Sequence, residues 1–83
     1  MVYDEIRDMI YNSNANTDEK ETMHEMLDSI MDIDAKMNYI SGMIENVENQ
    51  NRECNGLRRE YKDYEYKINI LNSNLNLALS KYN

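Results

Sequence analysis

The most regular pattern of apolar and polar residues runs from Asn16 to about Glu53 and predicts one long amphipathic helix. Its apolar residues follow each other in steps of three and four, which places them on one face of an α-helix. These residues are Met23, Met26, Leu27, Ile30, Ile33, Met37, Ile40, Ile44 and Val47. The opposite face, here called the acidic face, carries Asp18, Glu21, Glu25, Asp28 and Asp32 at the same spacing. We therefore expect a helix that packs through one face and presents a row of carboxylates on the other.

Two further patterns predict a helix on either side of the long one. The segment 2–12 carries three apolar side chains on one face: Tyr3, Ile6 and Ile10. A second stripe near the C-terminus has steps of four and three: Leu57, Tyr61, Tyr64, Ile68, Leu71, Leu75, Ala78 and Tyr82. The small polar residues of 12–17 are typical of a loop. Asn16, followed three residues later by Glu19, resembles a capping box at the start of a helix.

The second stripe is shifted in phase from the first, which favours a turn near residues 54–56, where the chain has an Asn-Gly dipeptide. Folding the chain back there places Val47 opposite Tyr64 and Ile30 near Tyr82. The first helix then covers the remainder of the long helix, so that two helices pack end to end along one side of it. We predict an all-α helical hairpin of one domain, which we expect to dimerise, with helices at about 2–12, 17–53 and 57–82.

The alternative architecture is one continuous helix that forms a coiled-coil dimer. It would place polar residues at all four a-type layers of the seam from residue 51 to 72, namely Asn51, Arg58, Glu65 and Asn72, which is costly. Against the hairpin, Arg58 and Arg59 would lie in the first turn of the third helix, where positive charge opposes the helix dipole. The phase shift between the stripes makes the hairpin the favoured prediction.

Composition agrees with an all-α protein. The 83 residues are 41% hydrophobic and 30% charged, with no proline and two glycines. Strands and hairpin turns therefore have little support, and no apolar run approaches the ~20 residues that cross a bilayer. The acidic N-terminal segment is unlike a signal peptide. Cys54 is alone and occupies a position where a core residue is expected, so we predict a fold without disulfides in a reducing compartment, the cytoplasm.

Charge is distributed unevenly along the chain. Residues 1–50 contain twelve acidic and three basic residues, for a net charge of −9, whereas residues 51–83 contain four acidic and six basic residues, for +2. A chain with a total of −7 lacks the clustered Lys and Arg that bind nucleic acid, and anionic lipids would repel it. We therefore expect neither nucleic acid nor membrane as a direct partner, but a protein with a basic surface.

Signatures of enzymes and metal sites are missing from the sequence. His24-Glu25 begins like a zinc-protease motif, but Asp28 stands where the second histidine is required. Asp32 and Asp34 begin like a calcium loop, but Met37 stands at the glycine position. We therefore predict that the protein is not an enzyme and that it has no catalytic residues, cofactor or metal.

Two surfaces remain as candidates for function. The first is the acidic face, which we predict to bind a partner: Asp18, Glu21, Glu25, Asp28 and Asp32. The second lies on the side of the third helix opposite its main stripe and predicts an interface with a second copy or another protein: Tyr66, Ile70 and Leu77. Apolar patches of this kind on small domains mark interfaces.

Abundant Asn, Tyr and Ile without Trp, Phe or Pro is typical of an AT-rich coding genome, and small acidic helical proteins are common among phage proteins that disable host machinery. The favoured hypothesis is a non-enzymatic phage or mobile-element inhibitor. It would occlude a basic nucleic-acid-binding surface of a host protein complex, as anti-CRISPR proteins do, in the host-cell cytoplasm. The alternative is a structural homo-oligomeric coiled-coil adaptor or scaffold, whose charged surface serves solubility.

Overall fold

The computed structural model describes residues 2–82 as three helices: α1 (Val2–Asn12), α2 (Thr17–Asn49) and α3 (Asn55–Tyr82). Helix α3 runs back along α2, and α1 packs against the N-terminal half of α2. The molecule is a rod of 52 × 20 × 16 Å. The predicted all-α hairpin is confirmed, and the alternative of one continuous helix is wrong.

Asn16 caps the start of α2, as the sequence predicts. Its backbone is extended (φ −74°, ψ 175°), and its Oδ1 accepts a hydrogen bond from the Glu19 N–H at 2.8 Å. This bond satisfies one of the free N–H groups at the helix start. The Glu19 side chain does not complete the predicted capping box, since its Oε2 is buried and has no hydrogen-bond partner within residues 2–82.

The turn between the long helices lies earlier than predicted. Helix α2 ends at Asn49, not near residue 53, and Asn51 adopts a positive φ of 55°. The Arg52 N–H donates to the Val47 carbonyl at 3.1 Å, and the Asn51 N–H donates to the Glu48 carbonyl at 2.9 Å. These two bonds form a Schellman motif, in which asparagine takes the left-handed position that glycine usually fills.

The predicted turn at 54–56 is therefore wrong, because those residues lead into α3. The Cys54 carbonyl accepts the Arg58 N–H at 3.0 Å, and Gly56 has no positive φ. Arg58 forms an ion pair with Glu48 in the last turn of α2, and its Nε donates to the Cys54 Sγ at 3.3 Å. The positive charge of Arg58, which opposes the α3 dipole, is thus paired with Glu48 across the turn. Cys54 is buried, as expected for a small apolar residue.

The earlier turn changes how the helices overlap. Helix α3 reaches the far end of the rod, where the Asn14 N–H of the α1–α2 loop donates to the Tyr82 carbonyl at 3.0 Å. The sequence prediction placed Tyr82 near Ile30, whereas in the structure the Tyr82 carbonyl is beside this loop, before the start of α2. Residues of α1 and α3 share one core, which contains Ile10, Ala15, Met23, Leu27, Ile30, Ile68, Leu75 and Leu79. The predicted end-to-end packing is wrong, because α1 and α3 lie side by side along the first half of α2.

The rod consequently has two different halves. In the three-helix half, Ile10, Met23, Leu27 and Ile30 are at most 1% exposed. In the other half only α2 and α3 are present, and two helices cannot enclose both sides of the seam between them. Ile40 and Cys54 are buried there, but most apolar residues along the seam are only half-buried: Ile44, Val47, Leu57, Tyr61 and Tyr64. The two-helix half therefore has open clefts along its sides.

Candidate protein-binding surface

The acidic face lies on solvent-exposed α2, and all five of its residues are exposed. Two of them have cationic partners. Arg7 of α1 forms an ion pair with Asp28, and the Lys36 Nζ lies 2.9 Å from Asp32 Oδ2, one turn further along α2. The Asp32 carboxylate raises the pKa of Lys36 above its ordinary value, through a hydrogen bond and its charge.

The remaining three acidic residues are Asp18, Glu21 and Glu25. None of them forms an ion pair with any residue in the range 2–82. They lie within the first nine residues of α2, and Asp18 is in its first turn. The uncompensated negative charge of the acidic face is therefore concentrated toward the start of α2.

Helix α1 borders the acidic face and is fixed there by Arg7. The Arg7 guanidinium donates to the His24 Nδ1 at 3.1 Å and contacts the Met31 Sδ at 3.6 Å. The Tyr11 ring packs on the His24 ring, with 4.5 Å between centroids, and Lys20 Nζ donates to the Tyr11 carbonyl at 2.8 Å. His24 thus helps to join two helices.

The other end of α1 is held by Tyr3, which packs against the core and whose pKa is affected by Asp34 of α2. Burial raises the pKa of Tyr3, and the charge of Asp34 and the hydrogen bond to it raise it further. Since Tyr3, Arg7 and Ile10 all contact α2 or its core, α1 is a fixed part of the edge of the acidic face.

Beyond Asp32, the row of the acidic face continues as an apolar groove. Ala35, Tyr39 and Met43 follow at steps of three and four along α2, so they lie on the same side of the helix. Together with side chains of α3 they line an open groove of about 450 Å³, here called the Tyr39 groove. Its lining consists of Asp32, Ala35, Lys36, Tyr39, Ile40, Met43, Leu57, Glu60 and Tyr64.

The Tyr39 groove combines exposed apolar area with charge at its edges. Tyr39 is 72% exposed and Met43 is 37% exposed. Lys36 lies over the Tyr64 ring, with its Nζ 6.0 Å from the centroid, within cation–π range. The cleft on the opposite side of the hairpin is smaller, about 290 Å³, and is lined by Arg58 and Lys62. The two sides of the two-helix half therefore differ in charge.

Sequence patterning did not identify Tyr39 and Met43 as surface candidates. Neither residue belongs to the apolar stripe that packs on α3, and the acidic pattern ends at Asp32. The signal was nevertheless present, because both residues continue the step of three and four on which Glu21 and Glu25 lie. What patterning could not supply was the turn position, which decides that α3 residues such as Leu57 lie beside them.

The second predicted surface lies on the outer side of α3. Tyr66 and Leu77 are each 70% exposed, and Ile70 is 43% exposed. Shallow depressions of about 300 and 400 Å³ lie along this side, around Ser73. The three apolar residues lie on one line of the helix, as predicted, on the side away from α2.

The described part of the chain has neither a cluster of metal-binding side chains nor a membrane-spanning helix. Among residues 2–82, no three His, Cys, Asp or Glu side chains are grouped to hold a metal ion. Over the same range, no helix combines the length and apolar character needed to cross a membrane. Comparison of the chain with family models, curated proteins and solved structures found no match.

Proposed function

We propose that this chain is a non-enzymatic protein that binds a basic surface of another protein stoichiometrically. The contact surface would consist of the acidic face and the Tyr39 groove. The observation that carries the proposal is their continuity, since one row of α2 leads from exposed carboxylates to an open apolar groove. Charge at one end and apolar area at the other are the two components of a specific protein interface.

The charge of the row supports a basic partner. From Asp18 to Asp32 it spans ~21 Å along a helix that rises 1.5 Å per residue. Its carboxylates are exposed, and three of them are unpaired within residues 2–82. Such a row attracts Lys and Arg of a partner at long range and accelerates their encounter.

The groove supports a partner that also carries an apolar or aromatic side chain. Tyr39 offers a large ring with a polar tip, a residue type enriched at interfaces. Met43 is flexible and adapts to an inserted side chain. We therefore expect the bound surface to carry basic residues next to an apolar anchor, as in a basic amphipathic helix.

More specifically, we propose that the protein is a phage or mobile-element inhibitor. It would occlude the nucleic-acid-binding surface of a host complex, in the manner of an anti-CRISPR protein. The support is physical: a row of carboxylates about every 5 Å resembles a phosphate backbone in sign and regularity. This form places the protein in the host-cell cytoplasm. It predicts that the protein competes with nucleic acid for the captured target.

The test is capture of the target from a lysate of the native host, using the wild-type chain and two double variants. Glu21→Lys/Glu25→Lys reverses two exposed charges of the acidic face. Glu45→Lys/Glu65→Lys makes the same change in net charge at two exposed positions outside the acidic face and the groove. Circular dichroism checks that both variants keep their helices.

We expect the control variant to capture the same target as the wild type, and the Glu21/Glu25 variant to lose it. A third variant, Tyr39→Ala, should weaken capture at unchanged net charge. Equal loss in both charge variants would mean that net charge alone matters. Capture that survives reversal of Glu21 and Glu25 would remove the acidic face from the contact.

A second candidate function is a structural homo-oligomeric adaptor or scaffold. The observation that favours it is the exposed apolar line on the outer side of α3, which lies away from the acidic face: Tyr66, Ile70 and Leu77. In that case the acidic face keeps the oligomer soluble. Loss of target capture on charge reversal would argue against this candidate as the sole function.

A further inference from the structure

Six positions on the outer side of α3 form a row that meets no other helix of residues 2–82. They follow one another at alternating steps of three and four: Asp63, Tyr66, Ile70, Ser73, Leu77 and Ser80. This is the heptad spacing by which two helices pack along a seam. The row lies on the side of α3 opposite the buried Ile68, Leu75 and Leu79. We call it the outer row.

We propose that a second copy of this chain covers the outer row in an antiparallel α3–α3 coiled coil. Tyr66 then lies against Leu77 of the partner subunit, and Ile70 lies against Ser73 of the partner subunit. Each contact occurs twice by two-fold symmetry. This inference concerns a different surface from the acidic face, and it gives a geometry to the homo-oligomer named above as the second candidate function; it does not depend on binding through the acidic face.

The sizes of the side chains in the outer row match this arrangement. Large and small residues alternate along its second half, where Ile70 and Leu77 are separated by Ser73 and followed by Ser80. The serines leave shallow depressions beside the two apolar residues. In an antiparallel pair, the Ile70 side chain enters the depression at Ser73 of the partner subunit, as a knob enters a hole. The row is therefore complementary to a reversed copy of itself.

Charge selects the antiparallel direction. A parallel pair would place Asp63 against Asp63 of the partner subunit within the seam, and Arg59 against its own copy. Like charges brought together in a partly desolvated seam oppose association. The antiparallel pair places Asp63 opposite Ser80 of the partner subunit, whose hydroxyl can donate a hydrogen bond.

Charge also selects the register. In the proposed register, Glu60 beside the seam faces Lys81 of the partner subunit, and this attraction occurs twice. A shift of one heptad in either direction would place Lys67 opposite Lys67 or opposite Lys81 of the partner subunit. Charges at these flanking positions determine pairing in coiled coils. The proposed register overlaps residues 61–82 of each copy, ~33 Å of helix.

The test uses disulfide formation between variants that keep every apolar residue of the outer row. In a Cys54→Ser background, Asp63→Cys and Ser80→Cys are made as separate proteins, one carrying a tag that changes its size. In the proposed dimer these two positions are opposite each other. The two copies of residue 63 would be separated along the coiled-coil axis by about 17 residues, or ~26 Å.

Mild oxidation of the mixture should produce a cross-link between the two different variants. Neither variant should cross-link with itself. Self-cross-linking of Asp63→Cys and of Ser80→Cys would overturn the proposal in favour of a parallel pair. Absence of any cross-link at concentrations up to millimolar would also overturn it.

Sedimentation provides a second measurement. The wild-type chain of 9.9 kDa should increase in mean mass with concentration toward twice that value. Leu77→Asp should raise the dissociation constant at least about tenfold, because it places a charge in the seam. Val2→Asp changes a residue of similar exposure on α1, outside the proposed surfaces, and should leave association unchanged. Equal effects of the two substitutions would contradict the proposed interface.

Discussion

At the scale of single residues, Asn51 determines where the chain reverses. Its φ of 55° lies in the left-handed region, which asparagine tolerates better than other residues with a side chain. Asn-Gly at 55–56 is the stronger turn dipeptide by composition, yet it forms the first turn of α3. Helix α2 could end at any of the four asparagines between residues 46 and 55, and local helix propensity alone could not decide among them.

Tyr3 supplies a prediction on pH. Its pKa is raised by burial and by Asp34, so the folded protein holds the phenolic proton more tightly than the unfolded chain does. This contribution to the free energy of unfolding is fully present below the unfolded pKa of about 10 and is lost as pH rises through the folded pKa. Stability should therefore fall above pH ~10 more steeply in the wild type than in Tyr3→Phe. Urea denaturation at pH 9 to 11 measures the free energy of unfolding of both proteins. If the two proteins lose stability equally with pH, the role of Tyr3 is contradicted.

At the scale of helices, substituting alanine for the two glycines distinguishes the observed turn at Asn51 from the predicted turn at 54–56. Gly42 and Gly56 lie in helices with negative φ, and a Cβ added at either would meet nothing within 4 Å. Gly42→Ala and Gly56→Ala should each raise the free energy of unfolding by up to about 1 kcal/mol, since alanine restricts the unfolded chain and favours helix. Chemical denaturation checks this. If Gly56 formed a left-handed turn, Gly56→Ala would instead destabilise by about 1–2 kcal/mol.

Much of the helical architecture could be predicted because three regular stripes of apolar residues determine it. The bounds of α1, the Asn16 cap and the folding back of α3 were all available from spacing. The alignment of α3 along α2 could not be predicted from spacing. Moving the turn from residue 55 to Asn51 shifts α3 along α2 while both apolar stripes keep their spacing. The Tyr39 groove depends on that alignment, so it could not be predicted, whereas the acidic face depends on α2 alone.

At the scale of the whole molecule, the rod has a well-packed end and an open end. Leu27 is fully buried among three helices, whereas Ile44 is half-buried between two. Leu27→Ala should cost about 3–5 kcal/mol of unfolding free energy, and Ile44→Ala less than about 2 kcal/mol. Urea denaturation of both variants measures the difference. Equal costs would mean that the two halves are packed equally well.

This asymmetry also bears on function. The three-helix end fixes α2, so the acidic face is presented on a rigid support, and binding need not order it. The open end leaves apolar area uncovered in the Tyr39 groove. A partner that contacts both would bury that area while neutralising the carboxylates. Under the proposed function, the three-helix end supports the acidic face and the open end supplies the apolar part of the contact.

The most direct test of the proposed function is the salt dependence of binding to the captured target. Raising salt from 0.1 M to 1 M shortens the screening length from about 10 Å to about 3 Å. If the acidic face forms the contact, the association constant should fall at least about tenfold over this range, and the Glu21→Lys/Glu25→Lys variant should lose most of that dependence. An association constant that stays the same at both salt concentrations would contradict the account.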